Sequence, residues 1–103
     1  MLIMTCDQIP EKSYTVLGTV IGSVVKSKNI GKDIGAGLKS IVGGELRSYT
    51  KMQEEARKEA IERMTAEAEA LGADAIIAMR LSSSSIIQGA SEMIAYGTAV
   101  KFN

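Results

Sequence analysis

Hydrophobic and polar positions change period several times along the chain, and each change marks an element. Residues 1–13 show no sustained period and read as a short extended arm that ends in a turn at Pro10-Glu11-Lys12. Residues 14–25 alternate. Tyr14, Val16, Gly18, Val20, Gly22 and Val24 fall on one face, and Thr15, Leu17, Thr19, Ile21, Ser23 and Val25 on the other. Both sets are apolar or small, so the pattern predicts a strand covered on both sides. After the polar connection Lys26-Ser27-Lys28-Asn29, Ile30, Ile34, Leu38, Ile41 and Val42 recur at helical spacing, interrupted by Gly31, Gly35 and Gly37. Each of those glycines costs a helix about 1 kcal/mol relative to alanine, so this short helix needs a close neighbour. Gly43-Gly44 ends it.

The next segment is the clearest. Met52, Ala56, Ala60, Met64, Ala68 and Leu71 repeat every three or four residues and predict the buried stripe of a long helix. Thr50 with Gln53, or else Ser48, supplies a cap, and Glu54 and Glu55 sit near the positive end of the helix dipole. Glu54/Lys58, Lys58/Glu62 and Glu59/Arg63 pair opposite charges four residues apart on the outer face. Gly72 is the stop signal. Asp74 then leads into a second strand over 75–81, and Ser82 to Ser85 with Gln88-Gly89 read as a polar hairpin region around Ile86-Ile87. Residues 91–102 alternate again. Glu92, Ile94, Tyr96, Thr98, Val100 and Phe102 share one face, and Met93, Ala95, Gly97, Ala99 and Lys101 the other.

Strand, helix, strand, strand is an α+β pattern. The helix-joined pair can lie parallel, with the last strand antiparallel between them, which predicts a mixed three-stranded sheet in the order 1-3-2. All 103 residues form one domain, without an internal repeat or linker. Four aromatic residues among 46% hydrophobic ones leave an aliphatic core. With ten glycines such a core is marginal for a lone chain, and association is the common remedy at this size.

Charge narrows the function. Twelve basic and twelve acidic residues cancel, so there is no basic field of the kind nucleic-acid binders present, and no nucleic-acid partner is expected. Residues 1–44 hold five lysines against three acids, and residues 45–74 hold five basic residues against eight acids. The start Met1-Leu2-Ile3-Met4-Thr5-Cys6 is not a signal peptide, and no apolar run has the length of a membrane helix. One cysteine excludes an intrachain disulfide. A soluble cytoplasmic protein without a membrane partner is expected.

Candidate chemistry is sparse. Gly31-Lys32-Asp33 resembles the end of a phosphate-binding loop. The position five before its glycine is Lys26, however, and the residue after the lysine is Asp33 in place of the magnesium-binding hydroxyl. Gly35-Ala36-Gly37 lies inside a helical pattern and not at a strand-to-helix turn, so it does not form a dinucleotide fingerprint. With no histidine, a serine or cysteine paired with histidine is impossible within the chain, and no catalytic residue and no cofactor set is assigned. Cys6 is the single soft metal-ligand candidate among cysteine and histidine. A site built on it needs further copies of the chain, because zinc takes three or four protein ligands.

Gly43-Gly44, Tyr49, Ala56-Arg57, Ala60, Met64, Ala68, Leu71-Gly72-Ala73-Asp74-Ala75 and the ending Gly97-Thr98-Ala99-Val100-Lys101 together resemble the YbjQ family over essentially the whole chain. These are uncharacterised prokaryotic proteins that carry a heavy-metal-binding label. The resemblance implies a dodecin-like β-α-β-β subunit with sheet order 1-3-2. It also implies a ring-shaped homopentamer in which short extra strands join neighbours. Relatives often carry acidic residues in the strand after the Gly-Ala-Asp turn, where this chain has Met79-Arg80-Leu81-Ser82. Three functions follow as expectations. The first is a non-enzymatic homopentamer that binds a small ligand or ion between subunits. The second is a heavy-metal-binding or metal-sensing protein with sites between subunits. The third is an enzyme acting on an anionic small molecule through Lys, Arg, Tyr and Glu.

Overall fold

The computed structural model describes residues 1–27, 47–87 and 89–103. The expected glycine-rich helix over 30–42 and its Gly43-Gly44 stop lie outside the described residues. The elements are β1 (Leu2–Ile3), β2 (Tyr14–Ser27), α1 (Arg47–Ala70), β3 (Ala75–Ile87) and β4 (Ala90–Phe102). They form a mixed sheet in the order β1-β3-β4-β2 with α1 laid across one face.

The α+β class and the central place of the last strand are as the pattern predicts. The number of strands is not. The sheet has four, because the start of the arm adds to the outer edge of β3 as a parallel strand, Leu2 opposite Ala75 and Ile3 opposite Ile76. An edge strand presents unpaired backbone groups. Here the arm satisfies them: Met4 N–H donates to the Ile76 carbonyl at 2.9 Å, Ala78 N–H to Cys6 at 2.7 Å, and Met79 N–H to Met4 at 3.0 Å.

The second strand also outruns its prediction. Ser82 to Ser85, expected to loop, continue β3 to Ile87, and they pair with Ile94, Met93, Glu92 and Ser91. Hydrogen bonding to a long partner strand overrides the weak strand preference of serine. Three register shifts interrupt the ladders; one lies at the hairpin end between Ser85 and Ile87, and two bulges set the faces. One, between Val16 and Gly18 with Gly18 at φ 146°, breaks the alternation of β2. Leu17 therefore packs on the core and Val16 is exposed, the reverse of the two-residue pattern. The other, between Ile77 and Arg80, holds Ala78 at φ 53° beside the arm.

At Arg47, the first described residue of this segment, α1 is already helical, so Ser48 and Thr50 lie inside the helix and do not cap it. Glu54 and Glu55 consequently lie two turns inside it, away from the positive end of its dipole. Its end is as read from the sequence. Gly72 N–H donates to Glu69 at 3.0 Å and Ala73 N–H to Ala68 at 3.1 Å, with Gly72 at φ 79°. This is the Schellman arrangement, which requires a left-handed residue after the helix. Leu71 falls in that turn and is 48% exposed, so it leaves the buried stripe. The remaining members, Met52, Ala56, Ala60, Met64 and Ala68, are all buried.

Ala56, Ala60, Met64 and Ala68 of this stripe pack on Val20, Val24, Ile76, Met93, Ala95 and Ala99. The contact is closest at Gly22. A Cβ built there lands on the Ala60 carbonyl and the Met64 amide, and 3.0 Å from Arg63 Cβ. Backbone thus meets backbone, which is why glycine is tolerated in the middle of this strand. The approach brings polar side chains of α1 onto β2. Arg63 Nη1 donates to the Ser23 carbonyl at 2.6 Å, and Lys26 Nζ meets Glu59 Oε1 at 2.7 Å. Glu59 therefore pairs across to the sheet and not along the helix with Arg63.

A second, smaller cluster lies on the opposite face. Ala75, Ile77 and Val100 are covered there by Met4 and Ile9 of the arm, with Tyr14 and Phe102 alongside. Asp74 locks this end: its Oδ2 accepts from Phe102 N–H at 2.8 Å, and its own N–H donates to Val100 at 2.8 Å.

Gly22→Ala should lose about 1–3 kcal/mol, the usual cost of overpacking a close contact, measured by urea unfolding. The hydrogen bond and charge of Lys26, aided by Arg63, hold the Glu59 carboxyl below its ordinary 4.5. A group whose pKa is depressed on folding stabilises above its unfolded value and loses that contribution as pH falls through the folded value. The melting-temperature advantage of the parent over Glu59→Gln should accordingly be full at neutral pH and vanish below the range in which Glu59 protonates.

Candidate functional site

Three features of the described residues could meet a ligand or partner. The first is a cavity between the first two turns of α1 and the far end of the β3–β4 hairpin. It holds about 260 Å³ and is lined by Tyr49, Met52, Gln53, Ser83, Ser84, Ser85, Gly89, Ala90 and Ser91. The hairpin's register explains the hydroxyls. Ser83 pairs with Met93 and Ser85 with Ser91, so these residues share the face that looks at the helix. Met52 is the last buried member of the helix stripe. Beyond it Tyr49 and Gln53 replace alanine, and the close helix–sheet contact opens into a space.

The side chain of Gln53 spans the floor of this space. Its Nε2 donates to Ser91 Oγ at 3.1 Å. Its Oε1 is buried and has no hydrogen-bond partner among the described residues. A buried acceptor left without a donor costs about 1–3 kcal/mol, so native proteins keep few of them, and each needs a reason. Among the described residues no charged side chain lines the cavity. The sequence pattern did not single out Gln53 except as a capping partner of Thr50. The missed signal was the break in the alanine stripe at positions 49 and 53.

The second feature is the arm. Cys6 is exposed, with its Sγ 4.0 Å from Met4 Sδ. Asp7 lies beside Arg80, whose Nη2 is 3.9 Å from Asp7 Oδ1 and whose Nη1 donates to the carbonyls of Thr5 at 2.8 Å and Met79 at 2.9 Å. Arg80 thus fastens the arm to the β3 bulge. No group of three or more His, Cys, Asp or Glu gathers among the described residues. A heavy-metal site wants three or four such ligands. Cys6 has one thioether beside it, that of Met4, and a guanidinium near by that opposes a cation, so the described donors of a single chain do not fit a heavy metal.

The third feature is the open part of the sheet face turned away from α1. The arm covers only one end of it. Beyond that end Ile21 (50% exposed) and Tyr96 (40%) lie side by side, and Val25 (59%) follows on β2 next to Glu92. Among the described residues nothing gives β2 the two-sided cover predicted here, because α1 packs on the face of Val20, Gly22 and Val24.

A four-stranded mixed sheet with one helix across it defines the class: a small α+β protein in which the described residues gather no metal-ligating cluster. The chain belongs to the YbjQ family, whose model, described as "Putative heavy-metal-binding", matches residues 1–103. It is 56% identical to a UPF0145 protein of Thermosipho melanesiensis over 98% of this chain and 94% of that one. It is 59% identical to a UPF0145 protein of Clostridium perfringens, over 97% and 95%. A crystal structure of a protein of unknown function from Pediococcus pentosaceus, assigned to the DUF74 family, superposes with a TM-score of 0.68 at 18% identity. It covers 100% of this chain and 98% of that one, a likeness of fold. No helix among the described residues is long and apolar enough to cross a membrane.

Proposed function

We propose that this protein is a non-enzymatic cytoplasmic homo-oligomer, a pentamer by its resemblance to the YbjQ family, that binds a small ligand or ion between its subunits. The observation that carries the reading is the open sheet face. Ile21, Val25 and Tyr96 form a contiguous, partly apolar surface on strands whose other side is already packed. Apolar surface gathered in one place on a rigid sheet marks a contact site. The protomer is also extended. Its radius of gyration is 17.2 Å, against about 13 Å for a compact chain of this length. Such a shape leaves much surface for neighbours to bury.

The heavy-metal reading has one observation in its favour, the exposed Cys6 thiol beside the Met4 thioether. Since one chain falls short of a ligand set, that reading requires several copies of Cys6 to meet. Zinc and copper titrations by calorimetry on the parent and on Cys6→Ala separate the two. Under the proposed function the two proteins behave alike, and a metal affinity lost with Cys6→Ala replaces it with the metal reading.

The assembly itself is tested by mass in solution. The parent should elute at a mass of five 10.9 kDa chains at micromolar concentration. Ile21→Glu, which puts a charge in the open face, should shift that mass towards the single chain while the far-ultraviolet circular dichroism stays the same. A parent that is monomeric at micromolar concentration, or an Ile21→Glu protein that assembles unchanged, removes the sheet face as the interface.

A further inference from the structure

We propose that residues 1–9 form a strap that opens and shuts as a unit about Pro10-Glu11, and that in its shut position it withholds one end of the open sheet face from a neighbouring subunit. The first observation is an imbalance of burial. No residue from Met1 to Ser13 is buried, whereas Ala75 and Val100 beneath the arm are wholly buried and Ile77 is 4% exposed. The arm covers them with Met4 and Ile9, which are themselves only partly buried. Segments with few buried contacts and solvent-exposed backbone bonds open at a lower free energy than the core.

The second observation is where the fasteners lie. Met4 N–H donates to the Ile76 carbonyl. The carbonyls of Met4 and Cys6 accept from Met79 and Ala78, the two residues that the β3 bulge takes out of the ladder with β4. Arg80 Nη1 adds its bond to the Thr5 carbonyl. The ion pair of Arg80 with Asp7 is 3.9 Å long and exposed on both sides, so it contributes little. These bonds all fall within Met4–Cys6. Losing one loosens the others, so the arm opens together and does not fray residue by residue from Met1.

The third observation is strain. Glu11 at φ 59° and Ala78 at φ 53° are the non-glycine residues with positive φ among the described residues. A side chain with a Cβ takes this conformation at a cost, and neither residue is Asn or Asp, which tolerate it best. One lies at the hinge, and the other is bonded to the strap through its N–H. Opening frees both to relax. It also bares the outer edge of β3 and the cluster of Ala75, Ile77 and Val100. Alternate residues of a strand share a face, so Val100 continues through Thr98 and Thr19 to Tyr96 and Ile21. The uncovered cluster is therefore continuous with the surface proposed as the subunit contact. That link rests on the assembly reading, and the opening itself does not.

Native-state amide exchange of the full-length protein, followed by nuclear magnetic resonance, tests the opening. The amides of Met4, Ala78 and Met79 should report one common opening and exchange about a hundredfold faster than the amides of the β4 ladder. Arg80→Ala should speed these three about tenfold, the effect of losing a hydrogen bond to a charged group, and leave β4 unchanged. Ala78→Gly should slow them roughly fivefold, because glycine takes the left-handed conformation without a steric cost. Sedimentation equilibrium across a dilution series tests the withholding. The concentration at which subunits separate should fall in Arg80→Ala and rise in Ala78→Gly.

The strap is overturned if the three amides exchange no faster than β4, if Arg80→Ala speeds β4 equally, or if the two variants shift the rates in the same direction. The withholding fails if subunits of Arg80→Ala separate at the parent's concentration or above it. A parent that stays monomeric refutes the assembly reading and the withholding with it, while the exchange rates still decide the opening.

Discussion

The structure depends on one close approach, that of the α1 backbone to the backbone of β2 at Gly22. The strand has no side chain there, and the facing helix positions are Ala56, Ala60 and Met64, so helix and sheet meet at nearly the shortest distance two such elements allow. The rest follows from that distance. At short range the long polar side chains of the helix can reach past its flank, and Arg63 and Glu59 bond to β2 and not to each other. The core can be thin and aliphatic, because alanine and valine fill the gap. Where the alanines stop, near Gln53 and Tyr49, the backbones draw apart, Gln53 reaches across to Ser91, and a cavity begins.

The same constraint explains why the other face of the sheet differs. One helix covers one face. The chain spends its arm on the second face and reaches only the end near Ala75, Ile77 and Val100. Arg80 and the backbone bonds of Met4 and Cys6 hold the arm there, at the bulge where Ala78 takes a left-handed conformation. Farther along, Ile21, Val25 and Tyr96 meet no part of the described chain. The described residues therefore form a cavity on the helix side and a partly apolar flat surface on the other.

Much of the fold was legible because it rests on local signals. The i, i+4 alanines predicted the helix and its buried stripe, and Gly72 predicted its end down to the Schellman turn. The alternation of residues 91–102 predicted the strand and both its faces. Failures came where distant partners decide. Ser82 to Ser85 read as a loop, because serine has little strand preference, but pairing with β4 supplies the hydrogen bonds that make a strand of them. Val16 and Leu17 exchanged faces, because a bulge at Gly18 shifts the register, and no period of two can announce that. Ser48 and Thr50, read as caps, lie inside the helix. The cavity was least legible: its residues come from two separate segments, and only Gln53's unused acceptor marks it.

By itself the sequence determined the α+β class, the long helix with its packing face and stop, the central place of the last strand, the family, and a composition with one cysteine and no histidine. These follow from periodicity, turn chemistry and residue type, which act over a few positions. The tertiary structure decided the fourth strand, the two bulges, which face of β2 is covered, the pairing of Glu59 with Lys26, and the place where helix and hairpin part to leave a cavity. Those depend on which backbone groups find partners and how closely two surfaces can approach, and both are set by residues far apart in the chain.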